Sequence, residues 1–106
     1  MVTQLVLLTR RADMSFEQFS AYWKNVHAPI GGKMPEVIKY VQYHGGVAPA
    51  NGAPAYDGVA LLQFADMGAL QRSWGSPEGQ ATAADIPNFL DGSKIVMLFN
   101  EEHRVV

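Results

Sequence analysis

The sequence predicts an α+β domain in which one four-stranded antiparallel sheet carries helices on one face. Three observations lead there. Apolar, partly β-branched runs of strand length occupy residues 2–9, 37–47, 56–64 and 93–100. Stripes of apolar residues at helical spacing separate the first run from the second and the third from the fourth. The chain of 106 residues, 48% hydrophobic and 10% aromatic, is long enough for one packed core and short for two.

The first run ends at Arg10 and Arg11 and reads as a strand buried on both faces. Ser15, with Gln18 three residues on, has the form of a capping box, so a helix is expected to begin there. At about 100° per residue, Phe16, Phe19, Trp23 and Val26 share one stripe of that helix. Pro29 disfavours helical geometry at Ala28, which predicts a helix end near His27. Gly31 and Gly32 then turn the chain.

Along the second strand Tyr40, Gln42 and His44 point to one face and Lys39, Val41 and Tyr43 to the other. The stretch APANGAPA that follows is rich in turn residues and poor in side chains, and it is the candidate for a flap. Beyond the third strand Asp66 is placed to cap a short helix whose Met67, Leu70 and Trp74 repeat at helical spacing. Gly75 breaks that helix, Ser76 and Pro77 start another, and Ile86-Pro87 interrupts it before the last strand.

The resulting order, βαββαβ, defines a ferredoxin-like sheet, because right-handed crossovers send both helical segments to the same side. Large apolar groups on the other side then need a cover. A second copy of the same sheet supplies it, so the expected assembly is a homodimer that closes into a dimeric α/β barrel, with a space between each sheet and its helices open to a small molecule. Residues 1–106 form a single domain on this reading.

Several function classes drop out. A formal charge of −2 provides no electropositive field for nucleic acid. The chain has no cysteine, which removes disulfides, thiolate nucleophiles and thiolate-bound metals. His27, His44 and His103 lack the short spacing of a metal site, so no metal is expected, and neither a G-x-G-x-x-G nor a P-loop pattern calls for a cofactor. No run of apolar residues reaches the ~20 needed to cross a bilayer and no leader pattern is visible, so the expected compartment is the cytoplasm.

The segments SFEQFSAYWKNVHAPI, MPEVIKYVQYH, YDGVALLQF and DIPNFLD, in that order, resemble the EthD family of dimeric α/β barrel proteins. The resemblance covers most of the chain. It implies a small dimer with a cleft between sheet and helices, and it does not imply one reaction: relatives look like lactone isomerases, polyketide cyclases or dehydratases, and accessory proteins of pathways that degrade ethers or aromatics. In lactone-isomerising relatives the histidine matching His27 moves a proton and a cysteine on the third strand assists. This chain keeps the histidine but has Leu61, Leu62 and Gln63 where that thiol would stand, which argues against thiol-assisted chemistry.

His27 therefore has two readings, a general base or acid at the edge of the helix stripe and a helix-closing residue that meets the terminal carbonyls. Tyr40 is its expected partner, donating a hydrogen bond to a developing oxyanion. Gln42 and His44 either line the cleft beside Tyr40 or sit in the dimer interface. Asp57 either orients the His27 imidazole or serves as a turn residue before Gly58, and Asp85 is either a carboxylate at a pocket mouth or a cap ahead of Pro87. Trp23 and Trp74 are core residues that double as pocket walls.

Three functions fit these residues: cofactor-free proton transfer on a small apolar carbonyl or lactone compound, non-catalytic binding of such a ligand, and cofactor-free oxygenation as in antibiotic-biosynthesis monooxygenases, which share the barrel.

Overall fold

A computed structural model describes residues 1–45 and 52–106. Four strands, β1 (Val2–Leu8), β2 (Lys39–His44), β3 (Gly58–Phe64) and β4 (Val96–Glu101), form one sheet in the order β2-β3-β1-β4, with every neighbouring pair antiparallel. This is the ferredoxin-like arrangement. The expected second strand is shorter than its apolar run, although Ile38 still donates its amide to Gln63 O at 2.8 Å. Of that run, Gly46 and Val47 lie outside the described residues, as do residues 48–51 of the APANGAPA flap candidate.

The helices are α1 (Phe16–Tyr22), α2 (Ala28–Gly31), α3 (Met67–Gly75) and α4 (Pro77–Asp85). The capping box at Ser15 is complete: its hydroxyl accepts from the Gln18 amide at 3.1 Å and the Gln18 side chain accepts from the Ser15 amide at 2.9 Å. Asp66 caps α3 by accepting from Ala69 N at 2.8 Å, and Ser76 caps α4 by accepting from Gly79 N at 3.0 Å, with Pro77 in the first turn where its missing N–H costs nothing.

The first helix does not stop near His27. It widens into a π-helical turn over Trp23–His27 and continues as α2 through Pro29. In this turn Ala28 N–H bonds to Trp23 O, five residues back, so the ladder is already loosened where the proline, which has no proton to give, enters. The wider turn also changes which side chains face inward. Val26, expected in the apolar stripe, is 44% exposed, and His27 takes the inward position at 6%. His27 thus does not close the helix, and its side chain makes no capping bond.

The core lies between the sheet and the helices. Phe19 and Trp23 from the first helical segment pack on Val6 and Leu8 of β1, on Ala60, Leu62 and Phe64 of β3, and on Phe89 and Leu90 after α4. Burying a side chain such as Phe19 contributes roughly 2 kcal/mol. In α3, Leu70 is buried but Met67 is 41% exposed. The last strand begins later than its apolar cluster implies: Asp91 accepts from Ser93 N at 3.0 Å and winds Gly92–Lys94 into a 3-10 turn.

The register of the sheet separates two faces. Val6, Leu8, Tyr40, Gln42, Ala60 and Leu62 lie toward the helices; Leu5, Leu7, Val41, Val59, Leu61 and Leu98 lie on the other side. Among the described residues no helix is long and apolar enough to cross a membrane.

Candidate functional site

The π-helical turn and the end of α4 meet over the core. The β-branched and aromatic residues of β1 and β3 pin the first helix through Phe19 and Trp23, and Gly31 lets α2 approach β2 closely, since a Cβ there would lie 3.2 Å from the Tyr40 ring and 3.5 Å from Thr82. Between these elements lies a cavity of about 40 Å³, walled mainly by Leu8, Trp23, Met34, Leu62, Trp74 and Phe89. His27 and Tyr40 both line it. By the measure that a water needs about 10–15 Å³, it has room for about three waters, so a ring-sized guest requires side chains such as Met34 to yield.

His27 Nδ1 lies 2.8 Å from Asp85 Oδ2, and both side chains are 8% exposed. A carboxylate accepts, so Nδ1 carries the proton and, in the neutral ring, Nε2 keeps its lone pair. The carboxylate is well supplied: its other oxygen accepts from Tyr22 Oη at 2.6 Å and from Asn88 Nδ2 at 2.9 Å. Burial pushes the Asp85 carboxyl up, but the donors Tyr22, Asn88 and His27 outweigh it and hold the group below its ordinary value. Tyr22, bonded to that carboxylate, is pushed up. The His27 ring also packs against Phe89, with centroids 4.7 Å apart.

On β2 the row Tyr40, Gln42 and His44 faces the helices, not the opposite side of the sheet. Gln42 Nε2 lies 3.0 Å from both Trp23 O and Tyr40 Oη, and its Oε1 lies 2.8 Å from His44 Nε2. His44 Nδ1 meets Ser20 Oγ at 2.6 Å, and the ring lies 4.4 Å from that of Trp23. Of the row, only Tyr40 reaches the cavity; Gln42 and His44 stand behind it. Burial raises the Tyr40 phenol, with the Gln42 amide and the Trp23 indole N–H pulling it back, and burial lowers the His44 imidazole, helped by Lys24.

Asp57 does not orient His27. Its carboxylate accepts from Arg10 N at 2.8 Å and pairs with the Arg10 guanidinium, which ties the exit of β1 to the entrance of β3. Asp85 supplies the orienting carboxylate instead. Trp74 lines the cavity with its ring while its indole N–H donates to Gln4 Oε1 at 2.8 Å. Sequence reasoning did not single out Tyr22, Asn88 or Ser20. Tyr22 stands 63 positions from Asp85, so no local pattern announces the pair. Among the described residues no three histidine or acidic side chains gather as a metal site.

A family model for the EthD domain matches residues 11–93 of this chain. A protein of Rhodococcus erythropolis, named only as an uncharacterized 11.0 kDa protein of the thcB-thcC intergenic region, is 31% identical over 88 residues, 83% of this chain and 84% of that protein. An ethyl tert-butyl ether d family protein from Bacillus halodurans superposes with a TM-score of 0.79 at 21% identity, covering 97% of this chain and 100% of its own. A dimeric ferredoxin-like protein of unknown function from Bacteroides fragilis gives 0.68 at 13%, covering 95% of each chain. SnoaB, a cofactor-independent oxygenase from Streptomyces nogalater, gives 0.69 at 12%, covering 99% of this chain and 95% of its own. With the family model spanning most of the domain, including the His27 and Asp85 segments, the chain belongs to the EthD family.

Proposed function

We propose that this chain is a cofactor-free enzyme that moves a proton beside the carbonyl of a small, neutral, largely apolar cyclic compound such as a lactone. The observation that supports it is His27, bonded to Asp85, at the wall of an apolar cavity that Tyr40 also lines. Asp85 holds the Nδ1–H tautomer, and Nε2 accepts a proton from the carbon next to the carbonyl. Tyr40 donates a hydrogen bond to the carbonyl oxygen as it gains negative charge. Return of the proton from His27 to a different carbon completes an isomerisation without net change of atoms or electrons.

The apolar walls favour this reading over one with charged substrates. Leu8, Leu62 and Phe89 offer nothing to a carboxylate or phosphate, while exclusion of water strengthens the few polar contacts present. The absence of a third-strand thiol is consistent with proton transfer that forms no covalent intermediate.

Solvent-deuterium exchange tests the reading. Small lactones and cyclic ketones incubated with the protein in D₂O should take up deuterium beside the carbonyl, read by NMR, and His27→Asn should abolish that uptake. Binding of these compounds with no exchange would replace this reading with that of a non-catalytic ligand-binding dimer, and oxygen consumption with dihydroxyaromatic compounds would replace it with an oxygenase.

A further inference from the structure

The Tyr40 hydroxyl is the end of a hydrogen-bonded chain whose directions are fixed by chemistry. Trp23 O is a carbonyl and can only accept, so the Gln42 atom facing it at 3.0 Å is the amide nitrogen. Gln42 Oε1 is then the acceptor toward His44, which makes His44 Nε2 a donor. In the neutral ring, Nδ1 accepts from the Ser20 hydroxyl. The second Gln42 amide proton goes to Tyr40 Oη at 3.0 Å. The phenolic oxygen is thus an acceptor on its β2 side, and the phenolic proton has no acceptor among the described residues.

We propose that Ser20, His44 and Gln42 are positioning residues that aim the Tyr40 proton into the cavity, and so select neutral ligands that carry an oxygen acceptor, a ketone or lactone carbonyl. The assignment rests on the cavity being the ligand site, and it is independent of any turnover. The other polar groups at the wall fit this division. Thr82 spends its proton on Glu78 O at 2.8 Å, and the Trp74 indole is spent on Gln4. His27 Nδ1 is spent on Asp85, which leaves Nε2 as an acceptor. The Trp23 indole N–H bears on the Tyr40 oxygen itself, which leaves the Tyr40 hydroxyl as the donor that the described wall residues do not occupy, and its polarity decides which functional group is held.

The π-helical turn is part of the device. Its Trp23 carbonyl receives both Ala28 N–H and Gln42 Nε2, so the irregular turn provides the fixed point that sets the amide's orientation. The His44 ring, packed at a tilt against Trp23, is held by packing as well as by hydrogen bonds.

Two probes of similar size separate polarity from shape: cyclohexanone, which accepts a hydrogen bond, and cyclohexene, which does not. Their dissociation constants would be measured by NMR titration of the wild type, Tyr40→Phe, Gln42→Glu and His44→Phe, with circular dichroism to verify folding. Tyr40→Phe should weaken cyclohexanone relative to cyclohexene about tenfold, the loss of one hydrogen bond. Gln42→Glu, which draws the phenolic proton back toward β2, should do the same, and His44→Phe, which keeps the ring on Trp23 but frees the amide, should shift the ratio in the same direction by less. An unchanged ratio in Tyr40→Phe, a change there with none in either relay variant, or failure of both probes to bind the wild type would each overturn the proposal. Loss of the catalytic reading alone would show as absent deuterium exchange with these ratio changes intact.

Discussion

His27 and Asp85 stand 58 positions apart in the chain and 2.8 Å apart in the fold, joined through Nδ1 and Oδ2. One comes from an irregular turn of the first helix and the other from the last residue of α4. Both are buried, so the pair is costly to form badly and costly to break. His27 lines the cavity and Asp85 holds it from behind, so under the proposed function the contact has a structural and a chemical role.

Asp85→Asn should separate those two roles. The amide keeps the shape of the carboxylate but no longer favours the Nδ1–H tautomer or an imidazolium, so proton transfer should fall at least about a hundredfold. Asp85→Ala, which leaves Tyr22, His27 and Asn88 without their shared acceptor, should also cost about 2–3 kcal/mol of stability. Urea unfolding and deuterium exchange on the same samples check both; full activity in Asp85→Asn would remove the carboxylate from the chemistry.

Acidification should weaken the fold in two windows. Asp85 sits below its unfolded value of about 3.9, so the unfolded chain binds its proton more readily. The stability this gives is full above that value and is lost as pH falls through the lower folded one. Burial likewise holds His44 below its unfolded value of about 6.5, so stability declines as pH falls from there toward the folded value. Urea midpoints measured from pH 7.5 to 3 should show both declines. His44→Gln should flatten the upper window and Asp85→Asn the lower one, and unchanged slopes would contradict the assignments.

The order and pairing of the strands were legible because each strand carries its own local pattern and each helix start its own cap: Ser15, Asp66 and Ser76 all act as their spacing implied. The π-helical turn was not. A period of 100° per residue assigns Val26 to the core, and only packing against the sheet, with Pro29 to be accommodated, selects the wider turn that buries His27 instead. For the site, the inward row of Tyr40, Gln42 and His44 follows from strand alternation, whereas the choice between Asp57 and Asp85 depends on tertiary distance. Asp57 finds Arg10 nearby across the sheet, and nothing local in the sequence records that it is thereby spent.

Gly58 is the tightest constraint behind the Trp23 wall. A Cβ there would lie 2.6 Å from the Trp23 ring and 2.9 Å from Tyr43 O, the second a backbone atom that cannot swing aside. Gly58→Ala should therefore push Trp23 from its place and cost about 1–3 kcal/mol. The displacement should also disturb His44, which packs against the same ring, visible as a shift in its imidazole NMR signals. A stable variant with unmoved His44 signals would show that the strand relaxes more easily than this packing implies.

The face of the sheet turned away from the helices bears on assembly. Leu5, Leu7, Val41, Val59, Leu61 and Leu98 lie there, with Tyr43 52% and Leu98 45% exposed. The register sets Lys39, Gln63, Thr3 and Asn100 in a polar row across all four strands, which bounds the apolar area on one side. An apolar patch with such a rim is the form of an interface, and a sheet that faces its own copy meets a matching surface about a two-fold axis. Leu98→Lys places a charge at the middle of β4 in that contact and should convert a dimer into a monomer in sedimentation velocity at micromolar concentration. Val105→Lys, in the tail beyond the sheet and 84% exposed, should leave the dimer intact. A wild type that sediments as a monomer, or a Leu98→Lys variant that remains dimeric, would show that this face is not where two copies meet.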